Sequence, residues 1–183
     1  ERYFSMLASF AQFDLGKSYL RNKEVWTLIK EKLPVSVSLG LWTFLLTYLI
    51  SIPLGVAKAV REGTRFDTLT TLLVLVGYAI PGFVLGVLLI VLFAGGTFLD
   101  WFPLRGLVSD NWASLSWPAR ILDYLWHLVL PLICYAIGSF AVVTMLTKNT
   151  FVEEIRKQYV LVARAKGLSQ ERVLYKHIFR NAL

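Results

Sequence analysis

Reactive residue types in this 183-residue chain fall into few groupings, and spacing rules out the catalytic ones. Gly16-Lys17-Ser18 matches the end of a phosphate-binding loop, in which backbone amides cradle phosphate and the lysine neutralises it. That loop requires a glycine five residues before Gly16, where Ala11 stands, and no strand precedes it. ATP binding by such a loop is therefore excluded. His127 and Ser139 share one uncharged run and suggest a hydrolase pair, but they lie twelve residues apart. That is about 18 Å along a continuous helix, beyond any direct hydrogen bond. The single cysteine, Cys134, makes no internal disulfide, and no Cys/His cluster has zinc-like spacing. It reads as a small packed apolar residue. No catalytic, cofactor-binding or metal-ligating residue is assigned.

The remaining grouping is mechanical. The closing stretch, YVLVARAKGLSQERVLYKHIFRNAL from Tyr159 to Leu183, is the most charged part of the chain. Phe151 to Lys166 is expected to form one helix, with Ile155, Tyr159, Val162 and Ala163 near one face. Gly167 ends it, because glycine tolerates the left-handed turn after a helix. Ser169 is a good N-cap for a second helix, with Glu171 favourably placed in its first turn. There Val173, Leu174, His177 and Ile178 form an apolar stripe, and Arg172, Lys176 and Arg180 form a charged face. Such a unit can rest on anionic lipid or dock in a partner's groove, and composition leaves both open.

The elements that must carry this unit are apolar. The chain is 56% hydrophobic and 17% charged, below the roughly 25% charged residues of an average soluble domain. Val35–Ala57, Leu69–Leu99 and Tyr124–Thr147 contain no Asp, Glu, Lys or Arg. Each exceeds the roughly 20 residues that cross about 30 Å of hydrocarbon as a helix. One Lys or Asp at a span centre costs about 2.5–3.5 kcal/mol, while Leu, Ile, Val or Phe contributes only about 0.3–0.6. Uncharged runs of this length therefore insert. The expected spans are about 35–57, 69–95 and 124–147, with 148–183 as the coupling region. Pro53, Pro81 and Pro131 are expected to kink them, and Gly77, Gly82 and Gly86 to permit close helix approach.

The net charge of +7 is spread over flanks rather than over one soluble basic face, so it reads as topology and not as nucleic-acid binding. The 58–67 loop and the segment after Thr147 hold eleven Lys and Arg between them; the other side holds eight. This bias places 148–183 in the cytoplasm. Trp101, Trp112, Trp117 and Trp126 suit a membrane–water interface. Residues 1–34 are expected to be an extracytoplasmic or interfacial segment, holding a short amphipathic helix that Pro34 interrupts before the first span. The chain starts without methionine and closes inside a helical pattern, which suggests a piece of a longer protein.

The closing stretch resembles the cytoplasmic coupling motif of binding-protein-dependent ABC importer permeases, in their dipeptide/oligopeptide branch. The matching positions are Ala163, Arg164, Ala165, Lys166, Gly167, His177, Arg180, Asn181 and Ala182. FDLGKSYLRNKEV, LPVSVSLGLWTFLL, SIPLGV, YAIPGF, FPLRG and HLVLPLI resemble that branch in the same order. Where the wider superfamily often has Glu-Ala-Ala, this chain has Leu161, Val162 and Ala163; the peptide branch commonly lacks that glutamate.

The resemblance implies an all-α membrane protein, a polytopic bundle of the type I importer kind, with residues 35–183 as an incomplete transmembrane domain. It implies a non-enzymatic permease subunit of an ATP-driven peptide importer in a bacterial inner membrane. The implied partners are a second homologous permease, two ATP-binding subunits that hold the ATP and Mg, a periplasmic peptide-binding protein and the lipid bilayer. The implied ATPase-coupling interface is Ala163, Arg164, Ala165, Lys166, Gly167, Leu168, Ser169, Arg172, Val173, Lys176 and His177. Pro53, Pro81, Gly82 and Pro131 are the expected kink and packing positions of the spans.

Overall fold

A computed structural model describes residues 2–96 and 98–182. Glu1, Thr97 of the second uncharged run and Leu183 of the closing unit lie outside them. The described residues form eight α-helices: α1 Arg2–Ala11, α2 Val25–Val60, α3 Arg65–Ala79, α4 Gly82–Phe93, α5 Trp117–Ile155, α6 Gln158–Ala165, α7 Gln170–Val173 and α8 Phe179–Ala182. A 3-10 turn at Trp112–Ser114 precedes α5, and a π turn at Leu174–Ile178 joins α7 to α8. The fold is all-α. Two helices, α2 and α5, are long and apolar enough to cross a membrane, and α3 with α4 makes a third such span if the bent pair is counted as one.

The chain divides into two compact units, 1–41 and 42–183. In the first, α1 is followed by a tight turn in which Lys17 bridges Glu24 antiparallel. Asn22 takes a left-handed conformation there (φ 48°), which asparagine tolerates better than most residues. Lys23 pairs with Glu31 at 2.8 Å. Pro34 does not interrupt the chain as expected: α2 runs from Val25 straight through it. The proline removes one backbone bond, to the carbonyl of Lys30, and Lys30 is exposed, so solvent or headgroups can satisfy that oxygen.

In the second unit α5 is the central helix, with α3 and α4 packed along it. The residues of α2 that face it are small: Ser51 is fully buried and donates to the Phe140 carbonyl at 3.2 Å. Gly55 is the tightest crossing. A Cβ built there would lie 2.6 Å from the Thr147 Cβ and 2.8 Å from the Thr144 carbonyl oxygen, so only glycine fits. Gly77 and Gly82 approach α5 less tightly, a Cβ there lying 3.1 Å from the Ile137 side chain and 3.3 Å from the Cys134 carbonyl oxygen, and a Cβ at Gly86 would make ordinary contact with the Cys134 sulfur at 3.6 Å. This close packing of small residues suits helices that associate without a hydrophobic drive between them.

Pro81 does more than kink its span. The helix breaks there, and α3 and α4 meet at 88°. Ile80 is extended (φ −84°, ψ 118°), the conformation that a following proline imposes. Pro131, by contrast, lies inside an unbroken α5, and α2 is helical through Pro53. Helix α5 also overshoots the expected span at both ends, starting behind the Ser116 N-cap with Pro118 in its first turn.

The loop before α5 is well tied. Trp126 Nε1 donates to the Trp101 carbonyl at 2.9 Å, and its ring stacks on Phe102 at 4.4 Å. The Asp123 carboxylate accepts from both the backbone and the hydroxyl of Ser109, at 2.9 and 2.5 Å. Arg120 lies over the rings of Trp112 and Trp117, at 4.8 and 5.5 Å from their centroids. The tryptophans of this loop thus hold its shape.

Candidate functional site

The closing unit is built from a helix stop and a helix start in quick succession. After α6 the backbone turns left-handed at Gly167 (φ +81°). The Gly167 amide donates to the Arg164 carbonyl at 2.9 Å, and the Leu168 amide reaches back to Ala163 at 3.3 Å. Two carbonyls left without helical partners are satisfied in this way. A Cβ at Gly167 would meet nothing within 4 Å, so the demand for glycine is purely conformational. Two residues later Ser169 caps α7, its hydroxyl accepting from the Arg172 amide at 3.4 Å.

Phe151 to Lys166 is not the single helix expected but two, since α5 ends at Ile155 and α6 begins at Gln158. Lys157 is extended between them (φ −72°, ψ 149°) and no glycine or proline marks the break. Glu154 stabilises it from the side. Tyr159 donates its hydroxyl to Glu154 Oε2 at 2.7 Å, and the Lys157 ammonium pairs with Glu154 Oε1. That hydrogen bond holds the Lys157 ammonium above its usual pKa, and burial pushes the Tyr159 phenol up. The break also rotates the face of α6. Val160 is fully buried, while Val162, expected inside, is exposed.

The short helices are fixed by an apolar core. Phe151 of α5, Val160 of α6, Val173 of α7 and Ile178 of the π turn pack with Val56 and Ala59 of α2. Phe179 meets Phe151 edge-on, with centroids 5.6 Å apart. Burying each such side chain contributes about 1.5–3 kcal/mol. Helices of four to eight residues do not persist alone, so this packing is what holds them.

The expected interface residues separate accordingly. Arg164, Ala165, Lys166, Gly167, Ser169, Arg172 and Lys176 are exposed on the outside of the unit. Ala163, Leu168 and His177 are half-buried. Val173 is the exception: it is buried in the core, so its side chain packs inward and offers no surface to a partner. Of the expected inner stripe, Val173 and Ile178 are fully enclosed and Leu174 and His177 flank them.

Residue order did not single out Glu154, Tyr159, Phe151 or Val160 as the parts that hold the unit, nor Lys58 and Lys148, read only as loop charges. A signal for Lys58 was present. It continues the stripe of Thr47, Ser51 and Gly55 along one face of α2, the face that becomes buried. The hydrolase pair does not form. Helix α5 is continuous between His127 and Ser139, and His127 Nδ1 lies 2.8 Å from the Asp123 carbonyl.

Residues 51–183 match the family described as binding-protein-dependent transport system inner membrane component. The chain is 57% identical, over its whole length, to the peptidoglycan transport system permease protein YejB of Agrobacterium fabrum. It is also 57% identical to the inner membrane ABC transporter permease protein YejB of Escherichia coli O157:H7. To the oligopeptide transport system permease protein AppB of Bacillus subtilis it is 35% identical. It covers 50%, 50% and 56% of these relatives, so the chain spans about half the length of the proteins it matches. With the matched region running from the α2 crossing through the closing unit, the chain belongs to the binding-protein-dependent transport system inner membrane component family.

Proposed function

We propose that this chain is part of the membrane-spanning permease subunit of an ATP-driven peptide importer in a bacterial inner membrane. A second homologous permease would supply the other half of the translocation path, and a periplasmic binding protein would deliver peptide. ATP and Mg belong to two separate ATP-binding subunits, which grip the 159–183 unit on the cytoplasmic side. The observation that carries this reading is the glycine-stopped helix pair, with its basic outer face exposed and its apolar inner face locked onto α2 and α5. A push on Arg164, Lys166 or Arg172 then passes through Val160 and Val173 into Phe151 and Val56, and so into two spans. Such coupling requires that the gripping partner bind the two membrane conformations differently. The peptide class of the cargo is supported by the relatives named for oligopeptide and peptidoglycan transport.

The test is ATP-dependent peptide uptake by the full-length permease reconstituted with its partners. Gly167→Val forces a β-branched residue into a left-handed turn and is expected to abolish coupled uptake while membrane insertion persists. Uptake at the native level would refute the hook as the coupling element. Reversing both Arg172 and Lys176 to Glu is expected to weaken co-purification of the ATP-binding subunits. Unchanged co-purification would assign those charges to lipid or solvent.

A further inference from the structure

The apolar core that fastens the closing unit draws on α2, α5 and the short helices, and among the described residues α3 contributes nothing to it. At this end of the molecule α3 is held by charge instead. Lys58 in the last turn of α2 is completely enclosed, with its side chain 0% exposed. Its ammonium lies 3.0 Å from Asp67 Oδ1 in the first turn of α3. It also donates to the Asp67 carbonyl, Thr70 Oγ1 and Thr71 Oγ1, at 2.8, 2.8 and 2.6 Å. From the other side Lys148 of α5 reaches Asp67 Oδ2 at 2.7 Å, and the Gly63 amide donates to the same oxygen at 3.2 Å. One carboxylate, 7% exposed, is thus held by cations from both neighbouring helices. Enclosed charges persist only when paired and hydrogen-bonded, so this geometry resists slippage in any direction that separates the three.

We propose that Asp67, clasped by Lys58 and Lys148, is a positioning residue that transmits movement of the closing unit to the broken helix α3–α4. The proposal rests on the importer reading above and adds a route to it. The body formed by α2, α5 and the closing unit moves as one because its core is packed. Helix α3 follows at its first turn because the carboxylate cannot leave two ammonium groups without exposing buried charge. The 88° break at Ile80–Pro81 then converts a displacement along α3 into a shift of α4, which is apolar throughout and touches α5 at Gly82 and Gly86.

Lys148→Met is the discriminating variant, because Lys58 and Gly63 still compensate Asp67 and the fold is preserved. In the full-length permease with its partners, uptake per ATP hydrolysed is expected to fall about tenfold while hydrolysis continues. Lys148→Arg is expected to restore the ratio. In parallel, spin labels at Arg65 and Asn149, in a Cys134→Ser background of the full-length permease alone in nanodiscs, read the tie directly. Wild type is expected to give a narrow distance distribution and Lys148→Met a broad one. An unchanged uptake ratio, or an unchanged distance distribution, overturns the proposal. If wild type itself shows no ATP-driven uptake, the importer reading fails, and the distance measurement still decides whether Lys148 ties α5 to α3.

Discussion

Helix α4 and the closing unit invert the usual relation between hydrophobicity and burial. Helix α4, GFVLGVLLIVLF, has no charged residue and no buried one. The closing unit is the most charged stretch, yet Val160, Val173 and Ile178 are among the most buried side chains. The difference is one of solvent. Inside hydrocarbon an apolar side chain has no water to escape, so α4 can leave Phe83, Val87 and Leu88 outward at no cost. Where the chain meets water, apolar groups are driven together, and a real core forms. The stiffly packed part of this protein is therefore its aqueous end.

Mutations can break that comparison in order of severity. Phe151→Ala empties the centre of the core and is expected to cost about 3–5 kcal/mol. It should make the 159–183 unit sensitive to protease in inside-out vesicles, and a resistance equal to wild type would dissolve the distinction drawn here. Tyr159→Phe removes the hydroxyl that donates to the Glu154 carboxylate, an effect of about 1.5–3 kcal/mol. Its expected readout is faster amide exchange across residues 156–160, with the spans unaffected. Val87→Ala, on the exposed face of α4, should alter thermal stability in detergent by less than about 0.5 kcal/mol. A large loss there would mean that this face of α4 is packed against protein rather than lipid in the full-length subunit.

The helix breaks show how far residue order carries. Pro81 and Gly167 are both punctuation marks whose chemistry is local: one forbids the preceding residue a helical conformation, the other permits a left-handed one. Both lie where the chain bends, although the angle at Pro81 was larger than a kink. Pro34 is the same residue type and does not interrupt α2, where the residue whose carbonyl loses its bond, Lys30, is exposed. The break at Arg156–Lys157 has no breaker residue and was invisible. It exists because Tyr159 and Lys157 find Glu154 while Val160 finds the core. Of the expected interface, the exposed cations were legible from the amphipathic pattern. Val173 stands both in the expected inner stripe and in the expected interface, and its burial places it with the stripe.

Three apolar runs, two of them single helices long enough to cross a membrane, their flanking charges and the glycine turn follow from residue order alone, since each depends on a few adjacent residues and on the energetics of water and hydrocarbon. Which lysines are buried, which valine faces the core and where α5 stops were settled only in the folded chain. Lys58 and Lys148 owe their roles to Asp67, and Lys148 lies 81 residues from it. No local rule reaches across that distance, and the low-dielectric contact that fixes all three exists only once α2, α3 and α5 have packed.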